Sequence, residues 1–282
     1  MVELPRLARR RNETHKGDYG RVLCIAGSAG MTGAAALTGS AAIRGGAGLV
    51  YVAVPRSCWQ VVAAADRCYL TIPLPEDIDG RIAPAALDLL DARRASMEVV
   101  AVGPGLGRST AIERVVQTAF ESWEQPLVVD ADAVNALSRC DSIGPPAGPR
   151  ILTPHPGEFA RVAPGLPADP QGAAELANRH DSVVVLKGHR TIVTDGTRVY
   201  RNTTGNPGMA TGGSGDVLTG LIAALVGQGL APFDSACLGV YIHGLAGDLA
   251  ARSVGMVSLC ATDLLEYLPA AIQDYQHRSG DV

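Results

Sequence analysis

The chain has 282 residues, of which 47% are hydrophobic and 18% charged, with a net charge of −4 and 33 glycines. That composition allows a sizeable core, suits a compact α/β protein with tight βα turns, and argues against a general nucleic-acid binder. No apolar run approaches the length of a membrane span, so no membrane partner is expected.

Residues 1–14 read as a solvated, flexible arm and not a signal peptide, because no apolar stretch follows Arg9-Arg10-Arg11. Short β-branched runs then alternate with helical segments. Strands are predicted at 22–26, 49–54, 99–102, 127–130, 151–153 and 183–187. They are continuously apolar, as strands covered on both faces are. Helices are predicted between them at 33–44, 57–66, 110–122, 131–139 and 173–179. A hairpin, 191–194 with 198–202, turns at Asp195-Gly196. The last third reads as helices at 216–227, 233–252 and 261–275. The order predicts one domain over 1–282: an α/β fold with a doubly wound, mainly parallel sheet and helices on both faces. None of the six cysteines forms a C-x-x-C pair, which fits small buried thiols in a reducing, cytoplasmic compartment. No zinc-ligand spacing occurs, so no structural metal is predicted.

The most informative stretch is Gly208-Met-Ala-Thr-Gly-Gly213-Ser214-Gly215-Asp216, which runs into an apolar helix. Glycines let successive N–H groups face one point, and the helix N-terminus adds partial positive charge, so the stretch suits a phosphate. A carboxylate placed there, Asp216, suits a base that takes a proton from a hydroxyl attacking that phosphate. The bland alternative is a glycine-rich turn with an acid in the first helical turn.

Five other segments follow predicted strands, where ligands of such sheets bind. Gly27-Ser-Ala-Gly30-Met-Thr-Gly33 lacks the G-x-G-x-x-G spacing of a dinucleotide loop. It is either a turn admitting a ligand near Ala34 or a plain βα turn. Gly103-Pro-Gly105-Leu-Gly107 lacks the G-K-[ST] ending of a P-loop. Close approach of a ligand at Gly105 stays open, beside a helix start capped by Ser109 or Thr110. Asp130 and Asp132 suit Mg²⁺ through water or a ribose, but Asp132 equally suits a helix cap. In Thr153-Pro-His155-Pro-Gly-Glu158 two prolines restrict the backbone around the imidazole. Lys187 suits a point charge for phosphate, or a lysine snorkelling at a sheet edge.

Together with His15-Lys-Gly-Asp-Tyr-Gly20 and Asn202-Thr-Thr-Gly-Asn-Pro-Gly208, these motifs resemble the ADP-dependent NAD(P)H-hydrate dehydratases, of ribokinase-like fold, over about residues 12–270. The resemblance implies an enzyme that dehydrates the S-form of NADHX or NADPHX while ADP becomes AMP and phosphate. It implies ADP as co-substrate, and the logic of phosphoryl transfer adds Mg²⁺ as cofactor. It places ADP against Lys187, Gly188, His189, Arg190, Thr191 and Gly215, and the hydrate near Ala34, Gly105, His155 and Asp216. Gly213, Ser214 and Gly215 would form the anion hole. Ser214 stands where relatives often carry Thr, and both hydroxyls can bond a phosphate. His189 and Arg190 add bulk and charge to the nucleotide loop. The resemblance further implies a stand-alone form working beside a separate epimerase, and a homo-oligomer for which a tetramer is one form. Two other classes are weighed against it. One is a small-molecule kinase of the same fold, acting on hydroxymethylpyrimidine or hydroxyethylthiazole. The other is a nucleotide-binding regulatory module without catalysis, against which the presence of Asp216 argues.

Overall fold

In the computed structural model, which describes residues 2–7 and 9–279, nine strands form one sheet. They are β1 (Arg21–Ile25), β2 (Leu49–Pro55), β3 (Leu70–Leu74), β4 (Val99–Val102), β5 (Leu127–Val129), β6 (Arg150–Leu152), β7 (Val183–Leu186), β8 (Ile192–Thr194) and β9 (Val199–Arg201). The spatial order is β3-β2-β1-β4-β5-β6-β7-β8-β9. Strands β1 to β7 pair in parallel, and the β8–β9 hairpin is added antiparallel at one edge. From β1 the chain winds outward to β3, returns beside β1 as β4, and winds the other way. That reversal is the switch point at which doubly wound sheets open a crevice.

Among the described residues, ten α-helices pack around the sheet: α1 (Thr32–Arg44), α2 (Trp59–Ala65), α3 (Ala86–Arg94), α4 (Thr110–Ser122), α5 (Asp132–Leu137), α6 (Pro156–Val162), α7 (Pro170–Arg179), α8 (Ser214–Gly227), α9 (Pro232–Val254) and α10 (Ala261–Ser279). Alternate strand residues point to opposite layers. Leu23, Ile25, Val100, Val102, Leu127 and Val129 face α3 to α7. Val22, Cys24, Val99, Ala101 and Val128 face α1, α2, α8 and α9. A further apolar layer joins α8, α9 and α10.

The predicted parallel strands are present to within a residue at each end. Strand β3 and helices α3 and α6 were not predicted. Near the N-terminus, Leu7 is buried against the α8–α10 layer and Tyr275 Oη donates to the Pro5 carbonyl at 2.6 Å. The Arg10 guanidinium also lies 3.9 Å from the Tyr19 ring centroid. The basic run Arg9-Arg10-Arg11 itself stays exposed.

Candidate active site

The loops after β1, β4, β5, β6 and β7 follow five strands that are neighbours in the sheet, so their tips gather along one edge. At the switch point between β1 and β4 lies a cavity of about 410 Å³. Its walls include Ala34, Gly105, Asp132, Gly213 and Asp216. Two of the three predicted hydrate-binding positions besides Asp216 therefore meet it in one cavity.

Gly213 is the N-cap of α8 with φ +89, a left-handed conformation that glycine adopts without a Cβ clash. A side chain there would also meet Leu37 Cδ1 at 2.5 Å. The helix starts at Ser214, one or two residues earlier than expected, so Gly215 and Asp216 occupy its first turn. The N–H groups of that turn have no partner inside the helix. Gly215 leaves room behind the turn: a Cβ there would sit 3.3 Å from Lys187 Nζ and 3.7 Å from Asp130 Oδ2.

The Asp216 carboxylate has no hydrogen-bond partner among the described residues, and its pKa is raised from the ordinary value to about 6. Burial is the main cause and the Asp130 charge adds to it; Lys187 opposes, and Asp132 and Glu158 raise it further. A carboxylate poised near neutrality is what a general base requires.

Lys187 does not snorkel at a sheet edge. Strand β7 lies inside the sheet, and the ammonium turns inward to Asp130 Oδ1 at 2.5 Å, with Glu158 Oε2 at 3.8 Å. Burial would lower its pKa, but the charges of Asp130 and Glu158 outweigh burial and raise it. Asp130 is buried and fully engaged. Thr153 Oγ1 donates to Oδ1 at 2.7 Å and Thr219 Oγ1 to Oδ2 at 2.8 Å. Asp132 does not cap α5 either: the N-cap is Ala131, which makes no side-chain cap. Ala131 has φ +51, and Asp132 Oδ2 accepts the Gly107 N–H at 2.8 Å. Ser109 does cap α4, through Ile112 N–H.

The segment at His155 is a helix start, not a loop. His155 caps α6: its Nδ1 accepts from Gly157 and Glu158 N–H, and Glu158 Oε2 accepts the His155 N–H at 2.8 Å. This reciprocal cap fixes the ring as much as the prolines do. With Nδ1 used as an acceptor, the neutral ring carries its proton on Nε2. His155 joins the cluster through buried Glu158, whose Oε1 is 3.4 Å from Nε2. Residues 188–190 form an exposed turn, closed by the partly buried Thr191. Arg190 has φ +57, and Thr191 Oγ1 donates to the Gly188 carbonyl at 3.0 Å. His189 and Arg190 thus extend outward from the β7 end.

Two residues of the site escaped the sequence reading. Thr219 lies inside the apolar run of α8, where a lone hydroxyl gives no local motif. His243, in α9, is buried behind the glycine-rich start of α8, and its Nε2 is 3.0 Å from the Ser214 carbonyl. Burial lowers its pKa to about 4, so the imidazole stays neutral and donates to that carbonyl. A histidine within an apolar helix was the available signal.

The sheet order and the cavity at its switch point define a ribokinase-like α/β protein. The family described as NAD(P)H-hydrate dehydratase matches residues 22–270, and the chain belongs to that family. It is 47% identical over 278 residues to a bifunctional NAD(P)H-hydrate repair enzyme of Moorella thermoacetica, covering 96% of this chain and 52% of the relative. It is 35% identical over 261 residues to an ADP-dependent (S)-NAD(P)H-hydrate dehydratase of Neisseria meningitidis, covering 88% and 83% respectively. A crystal structure of the ADP/ATP-dependent NAD(P)H-hydrate dehydratase of Bacillus subtilis, co-crystallised with ATP and Mg²⁺, superposes with a TM-score of 0.82. Its identity is 30%, with 95% of this chain and 94% of that one covered. The chain spans about half the length of the bifunctional relative.

Proposed function

We propose that this chain dehydrates the S-form of NADHX or NADPHX, converting ADP to AMP and phosphate. The observation that carries the reading is Asp216. It is an unpaired carboxylate with a pKa of about 6, in the first turn of α8, inside a cavity at the switch point of the sheet. Hydroxide is a poor leaving group and phosphate a good one. Asp216 takes the proton of the C6 hydroxyl, whose oxygen attacks the β-phosphorus of ADP and displaces AMP. The N–H groups of residues 213–216 stabilise the charge on the transferring group. The lone pair of the ring nitrogen then expels phosphate, and loss of a C5 proton restores the dihydropyridine.

Lys187, Gly188, His189, Arg190, Thr191 and Gly215 are the proposed ADP-binding positions, with Ala34, Gly105, His155 and Asp216 taking the hydrate. With its proton on Nε2, His155 serves as a hydrogen-bond donor and not as a base. Lys187 is a single cation among Asp130, Asp132, Glu158 and Asp216, so an incoming polyphosphate needs a countercharge. No group of three or more His, Cys, Asp or Glu side chains among the described residues could hold a metal. Mg²⁺ takes one or two carboxylates together with waters and substrate phosphates, so the ion would arrive on the nucleotide phosphates. A cytoplasmic setting suits the six free thiols, and no described helix is long and apolar enough to cross a membrane. A homo-oligomer, with a tetramer as one form, and a separate epimerase supplying the S-form complete the proposal.

Incubation with ADP and NADHX tests it, followed at the reduced-nicotinamide absorbance. Recovery of the band with AMP and phosphate formed one for one is expected. Accumulation of a stable phosphorylated product would identify a kinase instead.

A further inference from the structure

Two carboxylates line the cavity, and the phosphoryl step uses one of them. Asp132 stands in the first turn of α5, after Ala131 at φ +51. Its Oδ2 is held by the Gly107 N–H at 2.8 Å. Its Oδ1 accepts no hydrogen bond from the described residues, and the side chain is only partly buried. The carboxylate is thus fixed by one oxygen and presents the other to the cavity that holds Asp216.

The chemistry of the proposed function, on which this inference rests, calls for such a group. When phosphate leaves, C6 and the ring nitrogen share an iminium double bond. A base must then remove a proton from C5. The C5–H electron pair becomes the C5=C6 bond, and the iminium π pair returns to nitrogen. C5 is bonded to C6, so this base must reach the same cavity as Asp216. Asp216 itself already carries the hydroxyl proton in that turnover. We propose that Asp132 is the second base of the reaction and takes the C5 proton, passing it to solvent through its exposed side.

Asp132→Asn keeps an acceptor oxygen for the Gly107 N–H while removing the basicity. With ADP and NADHX deuterated at C5, the expected fall in NADH formation is about 10²–10⁴-fold. The deuterium isotope effect should rise, and KM for ADP should stay within about twofold. Because an iminium that is not deprotonated is recaptured by water, the variant should release more AMP than NADH. Acetate or formate should partly restore NADH formation by Asp132→Ala, which also covers the case where the Asn variant misfolds. NADH formation at the wild-type rate with one AMP per NADH would overturn the inference and make the departing phosphate the acceptor. An equal fall in AMP and NADH with an unchanged isotope effect, and no rescue, would also overturn it. If wild-type enzyme forms NADH and the variants give either of these overturning results, only the inference falls. If wild-type enzyme forms none, the proposed function falls and takes the inference with it.

Discussion

The raised pKa of Asp216 couples its chemistry to stability. Burial and the neighbouring acids disfavour its charged form in the folded chain more than in the unfolded one. The stabilising contribution of its proton is complete below the ordinary carboxylate range near pH 4 and is lost as pH rises through about 6. Asp216→Asn should therefore be more stable than the wild type at pH 7.5, by about 1–2 kcal/mol allowing for partial solvent access. Thermal melts should show that gain vanishing towards pH 4. The same variant should lose about 10²–10⁴ in turnover, which NADHX assays measure. In the wild type, kcat/KM should fall on the acid side of pH about 6, tenfold per pH unit, because the base must be ionised. The capping role of His155 is separable from the hydrate-binding role proposed for it. His155→Ala should cost about 1 kcal/mol through the lost cap. His155→Asn keeps a capping oxygen, so its melt should stay near the wild type while KM for the hydrate rises.

Some elements announce themselves locally and others do not. Strands β4 and β7 read as valine-rich runs, and β1 as an apolar one, because both faces are buried. Strand β3 carries Pro73 and lies at the sheet edge, so its pattern is weak. Helix α6 is hidden because Pro156 and Gly157, which read as loop residues, occupy its first turn. Helix α3 fully buries only Ala86 and Leu90, with Leu87 partly buried beside them, which left its periodicity faint. Another element-scale feature is invisible in sequence. Arg150, at the start of β6, is buried and donates to the carbonyls of Ala119, Phe120, Trp123, Gln125 and Pro149. It thereby satisfies the C-terminal end of α4, although burial lowers its pKa to about 10. Arg150→Met would take the side-chain donor from all five, and among the described residues the Trp123 and Gln125 carbonyls have no backbone donor to replace it. A loss of about 3–5 kcal/mol is expected in denaturant titrations, with nucleotide binding unchanged in the fraction that remains folded.

Across the whole molecule, the convergence of strand-end loops was legible because each chemically suggestive segment followed a strand. Their partnerships were not. Nothing in the spacing of Asp130, Thr153, Lys187 and Thr219 discloses that parallel winding stacks them on one carboxylate. If the proposed nucleotide site is right, ADP with Mg²⁺ at about 100 times its Kd should stabilise the fold by about 2.7 kcal/mol, measured by melts with and without ligand. ADP alone should give a smaller shift because the acidic cluster repels it. The order of the layers matters during synthesis too. Helix α8 covers β1, β4 and β5, yet it is made more than a hundred residues after β4. On a ribosome, the valine-rich underside of the nascent sheet would stay uncovered for on the order of ten seconds. Newborn chains of this protein therefore pass through a sticky interval that only the final third of translation brings to an end.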